Sequence, residues 1–238
     1  MEIVLHRAHQ RGQAEYGWLS TRYSFSFADW YEPTKMGFGA LRVLNDDTIA
    51  PASGFPLHGH QDMEIVTIVT HGSLTHRDNL QNTGIVGAGD VQVMSAGTGI
   101  LHAEYNASPD ETLSLFQIWI ETRERNITPR YAQHSFTQIR VEDGIVPLVG
   151  PAGESSPLSL HQDAYISRAL VDHDHSREYH LHDSGNGIYI FVLEGSLEIA
   201  GHLLVSRDAI GICDATTVTL PSHSTASVLL IEIPMKAN

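Results

Sequence analysis

An all-β chain folded as two tandem jelly-roll β-barrels is the architecture this sequence predicts, on three observations. Short β-rich runs recur along the 238 residues, separated by Gly, Asp, Asn and Ser clusters at intervals typical of sandwiches and barrels. Long helical periodicity is missing. A weak internal repeat relates the two halves.

In chain order, GALRVLN (39–45) is the first such run, and EIVTIVT (64–70) follows, β-branched at all but its first residue. DVQVMSA (90–96) begins just after Gly89, and LSLFQIWIE (113–121) closes the first half. The second half supplies AYISRALV (164–171), GIYIFVLEG (187–195), TTVTLPS (216–222) and SVLLIEIP (227–234). The halves align: IVTIVTHGSLTH (65–76) resembles IYIFVLEGSLEIAG (188–201), GAGDVQVM (87–94) resembles VSRDAIGI (205–212), and LSLFQIWI (113–120) resembles SVLLIEIP (227–234). The offset drifts from 123 residues at Gly72 and Gly195 to 113 at Ser114 and Ser227, by loop-sized steps expected of diverged copies. Residues 122–160, with NITPRY and GPAGESSP, read as the linker region.

Composition narrows the function. A formal net charge of −14 with no Lys/Arg cluster repels phosphate backbones, which argues against direct nucleic-acid binding. The single cysteine, Cys213, can build neither a disulfide framework nor a thiolate zinc cluster, and fits a reducing cytosol. With no signal-peptide core and no membrane-length apolar run, a cytoplasmic location without membrane association is expected.

The 15 histidines carry the chemistry. In FPLHGHQDMEIVTIV (55–69), His58 and His60 project to the same side of an extended strand, and Gly59 between them points the other way. GTGILHAEYN (97–106) supplies a second pair, His102 and Glu104, behind a turn carrying Gly97 and Gly99. Three imidazoles and a carboxylate suit Fe(II), Mn(II), Ni(II), Cu(II) or Zn(II) rather than Ca²⁺ or Mg²⁺, and leave coordination positions open for a substrate.

These residues resemble the two cupin motifs. Gly54, His58, His60, Glu64 and Gly72 follow the first, and Gly89, Gly97-Thr98-Gly99, His102 and Asn106 follow the second, with Gly97 where proline is usual. More specifically, SFSFADWYEP, MGFGALRVLNDD, HGHQDMEIVT and MSAGTGILHAEYN resemble the N-terminal half of the pirin family, bacterial members of which carry quercetin 2,3-dioxygenase activity. The resemblance through the second half is fainter.

That resemblance implies a bicupin: an N-terminal metal-binding cupin domain at 1–130 and a metal-free C-terminal cupin domain at 131–238. It implies one divalent transition metal, Fe(II) first, with Mn, Ni, Co, Cu or Zn as alternatives, on His58, His60, His102 and Glu104. Glu64 is implied to lie outside the ligand set, orienting an imidazole. The implied reaction is cleavage of the heterocyclic ring of a flavonol such as quercetin by O₂ with release of carbon monoxide. Its base is expected to be Glu104, with Glu64 as the alternative. Met36, Phe38, Met63, Gln117 and Trp119 are candidates for lining the substrate pocket, and Arg42, Asn45 and Asp46 are expected to form a structural turn network.

Two other classes stay open. Some pirin relatives are described as partners of transcription or metabolic proteins, which implies a metal-containing regulatory protein with a protein partner and no turnover. The other is a cupin isomerase or hydrolase acting on an oxygenated small molecule. A second HxH pair, His180 and His182, is not expected to hold metal, because no HxE follows it and His223 has no carboxylate beside it.

Overall fold

The computed structural model describes residues 2–136, 138–172, 174–221 and 225–235. Strands dominate it, and the two 3-10 helices, Ala8–Gln10 and Val141–Asp143, are single turns.

The first half builds a seven-stranded sheet in the order Arg130–Ser135, Asp90–Ser95, Met63–His71, Leu113–Glu121, Leu41–Ile49, Leu19–Tyr23, Gly12–Glu15. A four-stranded sheet faces it, in the order Gly54–His60, Ile100–Asn106, Ser73–Asp78, Thr83–Gly87. The second half repeats the plan. Glu2–His6, Ala209–Cys213, Asn186–Ile199, Ala226–Pro234, Tyr165–Val171, Ile145–Pro151 and Leu158–Leu160 run in that order across its large sheet. His202–Val205 pairs on Asn186–Ile199, and Arg177–His180 pairs with Thr217–Leu220. Sheet membership crosses residue 130 in two places: Glu2–His6 pairs with Ala209–Cys213 in the second half, and Arg130–Ser135, inside the stretch read as linker, pairs with Asp90–Ser95 in the first.

Alternation along the central strands divides their side chains between two interiors. From Met63–His71 and Leu113–Glu121, Val66, Ile68, Phe116 and Ile118 face outward and meet Leu148, Ile166, Phe191, Leu229 and Ile231 of the other half in one continuous core. This apolar seam joins the barrels. The second barrel's interior is filled by Val192, Leu197, Leu204, Ile210, Val228 and Leu230, all buried. The first barrel's interior is split into two smaller clusters, Leu19, Ile49, Val69, Leu74, Leu113 and Leu115 in one and Ile65, Met94, Ala96 and Ile100 in the other. A band of buried polar residues, among them Thr67, His76, Gln92, His102 and Glu104, also occupies this barrel.

Asp46, expected in a local turn network, instead ties the halves together. Its Oδ2 accepts from Arg207 Nε at 2.8 Å and from Arg11 Nη1 at 3.3 Å. Arg11 lies over the Phe191 ring and Arg207 over the Phe116 ring, so both guanidinium planes cover the seam. Arg42 does serve a turn, donating to the carbonyls of Ser26 and Met36. His6, on the exchanged strand, bonds the Tyr189 hydroxyl through Nδ1 at 2.8 Å, and burial, with Lys35 adding, pushes its pKa down to about 4.

Candidate metal centre and substrate pocket

The strand Gly54–His60 lies at the edge of its sheet, where Pro56 needs no ladder partner for its nitrogen. His58 sits directly opposite His102, but the register then shifts, so that Glu104 pairs with Phe55. This bulge re-aims the side chains around it. Gly54 lies beside it because the backbones approach too closely for any side chain: a Cβ there would stand 2.2 Å from the Glu104 carbonyl oxygen. At the neighbouring turn Gly97 has φ +47°, and a Cβ would meet the Ile127 carbonyl oxygen at 2.0 Å.

His58, His60 and His102 each bring a ring nitrogen within 4.8 Å of the other two. Ring centroids lie 4.3 Å apart for His58 and His102 and 4.9 Å apart for His58 and His60. The Pro56 carbonyl accepts from His58 Nδ1 at 2.8 Å, which leaves the Nε2 lone pair free. Burial, reinforced by the neighbouring imidazoles, pushes His60 down to about 4 and His102 to about 3. His60 and His102 are therefore neutral at pH 7. His102 is 1% exposed, and neither of its ring nitrogens has a hydrogen-bond partner among the described residues. Converging imidazoles with unused lone pairs are a donor set that fits a divalent transition metal.

Glu104 stands deeper. Its Oε1 accepts from Gln92 Nε2 at 2.6 Å and its Oε2 from Gln117 Nε2 at 3.0 Å. Thr67 completes the ring, donating to Gln117 Oε1 and accepting from Gln92 Nε2. Burial outweighs the two amide bonds and, with Asp47 nearby, pushes Glu104 up to about 7. The carboxylate also shares a ligand-like cluster with His102 and His76, a residue that the motif reading missed. His76 sits directly across the ladder from Glu104, stacks on Tyr131 and bonds Asp78 through Nε2 at 3.1 Å.

Before these groups lies a pocket of about 170 Å³. His58, His60, His102 and Glu104 line it from the four-stranded sheet, together with Phe55. The facing sheet contributes Leu19, Thr21, Tyr23, Asn45, Asp47, Gln117 and Trp119, and Phe27 closes in from a loop.

Two family models match the chain: Pirin over residues 4–120, and the quercetinase C-terminal cupin domain over residues 148–233. A pirin-like protein from Caulobacter vibrioides is 42% identical over 222 residues, covering 93% of this chain and 95% of that one. The chain belongs to the pirin family. This pirin is also 41% identical over 233 residues to a protein from Escherichia coli strain K12 named quercetin 2,3-dioxygenase, covering 98% of this chain and 99% of that one. The crystal structure of YhhW from Escherichia coli matches with a TM-score of 0.93 at 39% identity over the whole of both chains. That of bacterial pirin YhhW in complex with nickel(II) matches at 0.91, covering 98% and 99%. The bicupin architecture expected from the motifs is the one found.

The expected site residues divide. The pocket brings together His58, His60, His102, Glu104, Gln117 and Trp119, but Glu64, Met36, Phe38 and Met63 stand outside its walls. Glu64 shares the outward parity of Val66 and Ile68; its Oε2 accepts from Ser95 Oγ at 2.7 Å, and burial raises its pKa. Its carboxyl group thus stands away from the pocket that holds His58, His60 and His102. Phe38 packs against Tyr189 in the seam, Met63 packs with Ile65 and Met94, and Met36 is 42% exposed. Asn45, assigned to a turn, instead lines the pocket.

In the second barrel His180 bonds Thr217 Oγ1, and His182 stacks on Tyr165 and engages the buried Glu232 through Nδ1 at 2.7 Å. The repeat sets Glu232 where the first barrel has Trp119, 4.9 Å from His60. A carboxylate in place of the indole thus claims the corresponding imidazole. His223 lies outside the described residues. Among the described residues no helix is long and apolar enough to cross a membrane.

Proposed function

We propose that this pirin is a metal-dependent dioxygenase that opens the heterocyclic ring of flavonols. O₂ is consumed, both its atoms enter the products, and one ring carbon leaves as carbon monoxide. The observation that carries the reading is the convergence of three imidazoles on an aromatic-walled pocket with a buried carboxylate behind them. Full-length relatives named quercetin 2,3-dioxygenase support the reaction, and a relative in complex with nickel(II) supports a divalent ion.

His58, His60, His102 and Glu104 would hold the ion. When bound, it supplies positive charge that stabilises the substrate oxyanion. The residues do the rest. The Pro56 carbonyl accepts from His58 Nδ1, which leaves Nε2 as the nitrogen offered to the ion. Trp119, Phe27 and Phe55 flank a planar aromatic ligand and exclude water. Glu104 takes the proton of the flavonol 3-hydroxyl on Oε2, whose bond to Gln117 is the longer of its two. Gln92 and Gln117 hold the carboxylate in place throughout.

The test loads metal-free protein anaerobically with Fe(II), Mn(II), Ni(II), Co(II) or Cu(II), then adds quercetin and O₂ while absorbance and carbon monoxide are recorded. Metal-dependent carbon monoxide release, absent from the His58→Ala/His102→Ala double variant, is the expected result. Stoichiometric metal binding with no flavonol consumed would overturn the reading.

A further inference from the structure

The facing wall of the pocket carries polar groups that would neither hold the ion nor receive the substrate proton. On Leu41–Ile49, alternation turns Asp46 outward to the seam and Asn45 and Asp47 inward to the pocket. Both inward residues are 4% exposed, and Asn45 Oδ1 and Asp47 Oδ1 have no hydrogen-bond partner among the described residues. A buried polar atom left unpaired costs about 1–3 kcal/mol, so two side by side call for a reason.

The second barrel shows that the fold does not require the carboxylate. In the first barrel Asn45 pairs with Gln117 and Asp47 with Leu115 across the ladder. By the internal repeat, Gln117 corresponds to Leu230 and Leu115 to Val228, and their ladder partners are Ser167 and Ala169. Where the first barrel has Asp47 and Gln117, the second has Ala169 and Leu230, both fully buried in its apolar core. The Asp47 carboxylate thus belongs to the pocket rather than to the architecture, while at the Asn45 position the second barrel keeps a smaller buried polar residue, Ser167. The polar pair also stands on the sheet opposite the histidines, so one ligand spanning the pocket meets both walls.

We propose that Asn45 and Asp47 form a hydroxyl-reading subsite, and that the preferred substrate is a polyphenol bearing at least one hydroxyl beyond the one that meets the histidines. The subsite deepens the flavonol reading and rests on it. A phenolic O–H donates to the Asn45 carbonyl oxygen, and a hydroxyl pairs with a carboxyl group in either protonation state. A site built around hydroxyl partners rejects an analogue that lacks them, because its own buried groups are then left unpaired.

The experiment measures equilibrium binding under anaerobic conditions to the nickel-loaded full-length protein. The probes are quercetin and 3-hydroxyflavone, which has no hydroxyl beyond the 3-position, and the variants are Asn45→Leu and Asp47→Leu. Wild type should bind quercetin about 10-fold or more tighter, as expected for one or two satisfied bonds. Each variant should bring the ratio below about 3-fold by weakening quercetin alone, as losing one bond predicts. The unchanged affinity for 3-hydroxyflavone reports an intact fold. Should a leucine variant fail to fold, Asp47→Ala, which removes the carboxyl group without adding bulk, should still lower the ratio. A wild-type ratio near one, a ratio unchanged in the variants, or no flavonol binding would overturn the subsite. A preserved ratio without carbon monoxide release would instead remove the dioxygenase reading and leave a polyphenol-binding pocket.

Discussion

Replacing Asp46 by asparagine should loosen the two barrels from each other. The carboxylate is 18% exposed and faces two guanidinium groups: Arg11, whose side chain is 3% exposed, and Arg207, at 36%. Removing one partner of a fully buried pair costs about 3–5 kcal/mol, because a charge stays behind without compensation. Arg207 can turn toward water, and Arg11 keeps the Arg22 carbonyl on Nη2 at 2.9 Å, so the expected cost is lower, about 2.5 kcal/mol. With a urea m-value of about 2.5 kcal/mol per molar, the unfolding midpoint should fall by about 1 M. The double-mutant cycle is the decisive assay. Arg11→Met alone should cost about 1 kcal/mol, while Arg11→Met with Asp46→Asn should cost at least about 1 kcal/mol less than the two single changes added. Strict additivity, or a midpoint shift below about 0.2 M for Asp46→Asn, would refute the clamp.

Three further outcomes are expected. Glu64→Gln should leave metal stoichiometry and flavonol turnover unchanged, since its side chain faces the seam; loss of metal, measured by elemental analysis, would show that the strand parity is misassigned. His6, held neutral with its pKa at about 4 against about 6.5 in the unfolded chain, gives stability that is full above pH 6.5 and declines as pH falls toward 4, because the unfolded state takes up the proton first. The stability of wild type relative to His6→Gln should therefore drop by about 2 kcal/mol between pH 7 and pH 5, and a difference flat with pH in urea titrations would contradict it. Gly97→Ala should lower the melting temperature by about 4–8 °C, for a strain of about 2 kcal/mol, because both its positive φ and the Ile127 carbonyl oppose a methyl group; calorimetry showing no shift would mean that the turn relaxes freely.

What the sequence disclosed and what it concealed follow from strand geometry. That His58, His60, His102 and Glu104 line one pocket was legible because two ligand-bearing residues at a spacing of two share a face in an extended strand. Glu64 misled because Met63–His71 is buried on both sides, so alternating hydrophobicity is lost and no pattern says which parity faces the pocket. The motif alone suggested proximity, and a single residue's parity reversed it. Phe38 and Met63 are apolar side chains near the site in sequence, but they serve the seam and a neighbouring cluster. The missed pocket residues Leu19, Thr21, Tyr23, Asn45 and Asp47 come from adjacent ladders, Thr21 opposite Asp47 and Tyr23 opposite Asn45. Their one sequence signal was two polar residues at a spacing of two in LRVLNDDTI, a pattern equally at home on an exposed strand. His76 needed the ladder itself, because only pairing across Ser73–Asp78 and Ile100–Asn106 brings it to Glu104.

The exchanged strand Glu2–His6 has a consequence for how the molecule comes into being. Its partner Ala209–Cys213 lies about 200 residues later in the chain. At ordinary translation speeds the strand emerges roughly 10–40 s before that partner exists. Closing so long a loop costs about 5 kcal/mol of chain entropy, which local contacts cannot offset until the distant strand arrives. A segment made some 200 residues ahead of its partner is thus among the last to find its place.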